Sequence, residues 1–78
     1  MVDTTLYTRH GCHLCDEAKA VLERHGLSPH EVDIDAHPAL KAKYNTCVPV
    51  VWIGGKERFR GRIDEMLLRR LLAHEIPR

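Results

Sequence analysis

Apolar residues in this chain switch between a strand-like spacing of two and a helix-like spacing of three and four. That alternation is what most narrows the folds open to it. Leu6-Tyr7-Thr8, with Thr4 and Thr5 before it, is β-prone and ends at Arg9-His10-Gly11. Leu14, Ala18, Val21, Leu22 and His25 then recur at helical spacing, and Gly26 supplies a stop. Val32 and Ile34 alternate with Glu31, Asp33 and Asp35, which reads as a half-buried strand. His37-Pro38 opens a short helix with Leu40 and Tyr44 on one face, and Asn45 is placed to close it in the left-handed conformation. Val48-Pro49-Val50-Val51-Trp52-Ile53 is an apolar run. Gly54-Gly55 marks a hairpin, with Lys56 to Arg60 as its return strand. Beyond Gly61, residues Ile63, Met66, Leu67, Leu71 and His74 trace a last amphipathic helix. Asp64 and Glu65 fall in its first turn, and Arg69 and Arg70 lie later.

The resulting order, βαβαββα, predicts an α/β fold with a four-stranded mixed sheet flanked by three helices. Strands joined through helices favour parallel pairing, and the Gly-Gly hairpin adds an antiparallel edge. A length of 78 residues predicts a single domain over 1–78, near the lower limit for one hydrophobic core. Hydrophobic residues at 44% and charged residues at 29% suit a globular chain rather than a disordered one. A net charge of +1, with only Arg58, Arg60 and Arg62 clustered, argues against nucleic acid as a partner. No apolar run approaches the roughly 20 residues a bilayer demands, and Met1 to Thr5 lacks the pattern of a signal peptide. A cytoplasmic monomer with no membrane contact is the expectation. The three cysteines are an odd number, which suits redox or metal chemistry better than a disulfide framework.

Cys12 and Cys15 fall where the first strand gives way to the first helix. The N–H groups at a helix start are unpaired and carry partial positive charge, and both effects favour a thiolate. The sequence therefore predicts a lowered pKa for Cys12 and makes it the attacking sulfur in disulfide exchange. Cys15, one turn further in, is predicted to be more buried and to act as the resolving thiol. A second signal is Thr46-Cys47-Val48-Pro49, since a proline at the start of a central strand removes a ladder donor. A cis Val48–Pro49 bond is the reading favoured beside Cys12 and Cys15. It would present the Val48 backbone to a bound cysteine-containing peptide as an added strand. Two readings of Cys47 stand: a thiol that forms an intermolecular disulfide or accepts glutathione, and a small side chain starting a strand. His13 is open between a partner for the Cys12 thiolate and a solvent-exposed loop residue. Trp52 and Phe59 read as packing residues.

The segment Thr8-Arg9-His10-Gly11-Cys12-His13-Leu14-Cys15-Asp16-Glu17-Ala18-Lys19, followed by Val48-Pro49 and the turn from Gly61 to Met66, resembles the glutaredoxin family and its short bacterial glutaredoxin-like branch. The resemblance covers nearly the whole chain and implies a thioredoxin-like fold. It implies Cys12 as nucleophile, Cys15 as resolving thiol and Pro49 as a cis-proline. Glutathione contacts are implied for Arg9, Val48, Pro49 and Asp64. The chain departs from the family pattern at His13, where proline is usual, and at Arg62, in place of a second glycine. The activity implied is thiol–disulfide exchange on protein disulfides or glutathione mixed disulfides, with glutathione or thioredoxin reductase as electron donor. No metal and no tightly bound cofactor are expected. The competing reading is a carrier of metal or an iron–sulfur cluster that uses the same cysteines.

Overall fold

A computed structural model of the chain describes residues 3–45 and 47–75, the last two of these by their backbone alone. Met1, Val2, Thr46 and the His74 side chain lie outside the described residues. The strands are β1 (Thr4–Thr8), β2 (His30–Asp33), β3 (Val50–Ile53) and β4 (Lys56–Arg60). The helices are α1 (His13–Arg24), α2 (Pro38–Tyr44) and α3 (Glu65–Glu75). The sheet order is β2-β1-β3-β4. Strand β1 pairs with β2 in parallel and with β3 antiparallel, and β3 pairs antiparallel with β4. Parallel pairing thus holds for the strands joined through α1. Strand β3 runs the other way beside β1, although α2 separates it from β2 in sequence.

The alternation of side chains along the central strands builds two cores. Leu6, Val51, Ile53 and Phe59 point to one face of the sheet and meet Ala18 and Leu22 of α1 and Leu68 of α3. Tyr7, Val50 and Trp52 belong to the other face, where Ile34, Leu40 and Tyr44 cover them. Tyr7 stacks at a tilt against Tyr44 and meets Trp52 edge-on, at centroid distances of 5.2 and 6.5 Å. Phe59 is therefore core, as expected, while Trp52 remains half-buried.

Local signals explain most boundaries. Helix α1 stops in a Schellman arrangement: the Gly26 N–H donates to Glu23 O, and the Leu27 N–H to Leu22 O, each at 3.0 Å. Gly26 sits at φ +80°, a region costly for a residue with a Cβ. The Gly54-Gly55 pair is the two-residue hairpin turn, and a bulge interrupts the β3–β4 register between Val51 and Trp52.

Four expectations are corrected by the structure. Strand β2 ends at Asp33, and Ile34 begins a 3-10 turn over Ile34–Ala36, because the Asp33 carboxylate caps the Asp35 N–H at 2.9 Å. Asn45 is right-handed (φ −47°, ψ −40°), since its side chain is held by Arg9, 36 positions earlier in the chain. Strand β3 starts at Val50, one residue past the proline that the sequence places at its start. Among the described side chains of α3 the buried one is Leu68, fully shielded, whereas Met66 and Leu67 are 69% and 49% exposed.

Candidate redox site

The turn from β1 into α1 is made by Arg9-His10-Gly11-Cys12, closed by the Cys12 N–H donating to Arg9 O at 3.3 Å. Its third residue needs a positive φ, and Gly11 supplies +77°. This turn delivers Cys12 to the N-cap position of α1 with extended backbone, φ −92° and ψ 110°. The Cys12 Sγ accepts the Cys15 N–H at 3.1 Å, so sulfur does the work that a serine or aspartate oxygen does at an ordinary cap. Cys12 is half-buried, whereas Cys15, one helical turn behind, is 2% exposed. Both are free thiols.

Burial pushes the Cys15 thiol above its ordinary value, and hydrogen bonding to Cys12 adds to the rise. The Thr8 hydroxyl and the Arg9 backbone act in the opposite sense, so the end of β1 offsets part of the cost. A raised value leaves Cys15 as thiol at neutral pH. Iodoacetamide at pH 7 is therefore expected to label the more accessible Cys12 ahead of the buried Cys15, with Cys15 labelling growing as pH rises. Peptide mass mapping across a pH series checks this, and equal labelling of both sulfurs at pH 7 would contradict it.

Arg9 leaves the turn sideways and is almost fully engaged. Its Nε donates to Asp35 Oδ2 and Oδ1 at 3.0 and 3.2 Å, and Nη2 to Asp35 Oδ1 at 2.9 Å. Nη2 also donates to Asn45 Oδ1 at 2.8 Å, and Nη1 to the Asn45 carbonyl at 2.9 Å. Hydrogen bonding to Arg9 holds the Asp35 carboxyl below its ordinary range. Asp35 and Asn45 are members of the site that the sequence does not reveal. Their separations from Arg9, 26 and 36 positions, leave no local pattern to find.

Val48–Pro49 is a cis peptide bond, and the Pro49 carbonyl accepts the Gly61 N–H at 2.8 Å. That bond ties the proline loop to the segment leading into α3. Asp64 caps α3, with its Oδ1 accepting the Met66 and Leu67 N–H groups at 3.0 and 3.3 Å. Cys47 is half-buried against the Tyr44–Val50 core, with the Arg60 Nη1 at 3.6 Å from its Sγ. His13 is exposed at the first position of α1. The fold thus joins Arg9 to the Cys12–Cys15 turn and Pro49 to Gly61, while Asp64 is placed to start a helix. Among the described residues, no three His, Cys, Asp or Glu side chains converge as a metal cage would need. No helix among them is long and apolar enough to cross a membrane.

A dithiol at a strand-to-helix turn, on a mixed sheet with helices on both faces, defines a thioredoxin-like protein, and solved structures agree. Glutaredoxin 1 from Francisella tularensis superposes with a TM-score of 0.67 at 20% identity, over 95% of each chain. A structural-genomics target protein from X. campestris matches at 0.78 and 33% identity, over 91% of this chain and 96% of that one. A curated protein from Pseudomonas aeruginosa named glutaredoxin is 36% identical over 85% of this chain and 82% of its own length. The family model described as "Glutaredoxin-like domain (DUF836)" matches residues 3–73. The chain belongs to this glutaredoxin-like family, and its paired cysteines support a redox function.

Proposed function

We propose that the protein is a thiol–disulfide oxidoreductase that reduces protein disulfides through Cys12 and Cys15. The observation that carries this reading is the half-buried Cys12 sulfur capping α1 and accepting the Cys15 N–H, with a shielded second thiol one turn behind. In the first step the Cys12 thiolate attacks one sulfur of a substrate disulfide. A Cys12–substrate S–S bond forms, and the other substrate sulfur leaves as a thiolate that takes up a proton. Cys15 then loses its proton and attacks the Cys12 Sγ. A Cys12–Cys15 disulfide forms, and the second substrate sulfur departs and is protonated. The substrate gains two electrons and two protons, and the dithiol loses them. An external thiol donor, or a reductase of the thioredoxin reductase type, restores the dithiol.

Resting Cys15 as a thiol suits this order, because a resolving sulfur that ionises late does not compete for the substrate. The direct test mixes the fully reduced protein with oxidised insulin and maps cysteine pairing by peptide mass. A Cys12–Cys15 disulfide formed in step with insulin reduction is the expected result. Cysteines that stay reduced, or oxidation that falls on Cys47 instead, would overturn the proposal.

A further inference from the structure

The Arg9 guanidinium presents the flat donor fork that binds carboxylates in two parallel hydrogen bonds, and it springs from the turn that carries Cys12. Left open there, such a fork would select redox partners that carry a free carboxylate near their sulfur. In this chain the fork is already filled. Asp35 takes Nε and one N–H of Nη2, and Asn45 takes the other N–H of Nη2 and one of Nη1. Of the five N–H groups a guanidinium offers, one is left over.

Asp35 is itself held for this task. Its backbone N–H is fixed by the Asp33 cap at 2.9 Å, and the Lys41 ammonium stands 4.0 Å from its Oδ1. A carboxylate held within the chain competes at a high effective concentration, on the order of millimolar or above, against any ligand from solution. The neighbouring cleft adds to the bias, since Asp16, Glu31 and Asp33 line it beside Arg9, with Glu31 paired to Lys19.

We propose that Asp35 is a specificity residue: its carboxylate plugs the Arg9 fork from within the chain. It thereby turns the redox site away from small thiols and disulfides bearing free carboxylates and toward disulfides of protein side chains. The inference rests on the redox reading of Cys12 and Cys15, and it adds a substrate class to it. Asp35 acts through Arg9 and takes no part in sulfur exchange.

Asp35→Ala is the informative variant, because Asn45 still grips Arg9 through two of its N–H groups and keeps the fork in place. Both partners are substantially solvent-exposed, so the pair adds little to global stability and the variant should fold. Two readouts separate this proposal from the one it rests on. The first is independent of activity: the Arg9 Hε resonance is followed by NMR during titration with S-methylglutathione, which carries carboxylates but cannot exchange. The wild-type signal is expected to stay put, and that of Asp35→Ala to shift in a saturable, salt-sensitive way. Arg9→Gln in the Asp35→Ala background serves as a control in the same titration, where the remaining perturbations elsewhere should vanish.

The second readout is the ratio of rates on glutathione disulfide and on the neutral hydroxyethyl disulfide. Asp35→Ala is expected to raise that ratio about tenfold, as one additional charge-assisted hydrogen bond to the substrate would do. The double variant should return it to the wild-type value. A wild-type Arg9 signal that already shifts with S-methylglutathione, or an Asp35→Ala protein no more responsive than wild type, would overturn the proposal. If no variant exchanges any disulfide, the redox reading fails while the titration still decides the role of Asp35.

Discussion

Replacing Cys12 by serine is expected to abolish disulfide reduction, lowering the rate about a thousandfold or more while leaving the fold intact. The first half follows from chemistry. A serine hydroxyl at neutral pH is neither ionised nor able to form the mixed disulfide through which exchange passes. The second half follows from the site of the change. Cys12 is the N-cap of α1, and its sulfur accepts the Cys15 N–H at 3.1 Å. Serine is among the preferred residues at that position, and its oxygen is a better acceptor than sulfur. The thermal midpoint should therefore hold or rise as activity disappears, and that opposition excludes misfolding as the cause. Insulin reduction and thermal unfolding measured on the same preparation check both halves. Cys15→Ser makes the complementary case: Cys12 can still attack, but nothing resolves the adduct, so a Cys12-linked mixed disulfide should accumulate and be visible by mass. Full activity in Cys12→Ser would remove the mechanism altogether.

The features legible in sequence are those set by short-range rules. The strand-to-helix junction at Cys12, the proline at the first position of α2 and the Gly54-Gly55 hairpin all depend on residues within a few positions of one another. Asp64 was legible as an acid at the start of α3, although not as its cap. What escaped depends on distant partners. Asn45 has the composition of a left-handed helix stop, yet two hydrogen bonds from Arg9 hold it in place at the end of α2. Asp35 continues the alternation of Glu31 and Asp33, so it reads as one more solvated strand position. Instead the chain turns at Ile34, and the carboxylate swings toward Arg9. Neither outcome leaves a mark on local periodicity. Arg9, singled out as a ligand-binding cation, is the same residue that organises both.

The last helix shows how far periodicity reaches, and it carries the largest stability effect expected here. Residues 66–72 read Met-Leu-Leu-Arg-Arg-Leu-Leu. Adjacent leucines at 67–68 and 71–72 satisfy the three-and-four spacing in two phases about 100° apart, so pattern alone admits a face led by Met66 and Leu67 or one led by Leu68. Tertiary anchoring decides. Asp64 caps the helix, Glu65 is bound by Arg24 and His25 at 2.9 and 3.1 Å, and Ile63 packs on the core, which together fix the rotation of the helix about its axis. Leu68 is then turned fully inward among Leu6, Leu22, Ile53 and Phe59, while Met66 and Leu67 face outward. Leu68→Ala deletes three buried carbons and leaves a cavity, a loss of about 2–5 kcal/mol. A domain of this size has a total stability of roughly 4–12 kcal/mol, so the variant forfeits a large share of it and approaches unfolding at moderate temperature. Met66→Ala and Leu67→Ala remove mostly exposed surface and place a good helix former on α3, so each should change stability by less than about 1 kcal/mol. Urea unfolding followed by circular dichroism separates the cases, with the midpoint of Leu68→Ala falling well below the other two. Equal losses at Met66 and Leu68 would mean that α3 sits on the sheet in the other phase, with the Asp64 cap and the Glu65 contacts wrongly placed along with it.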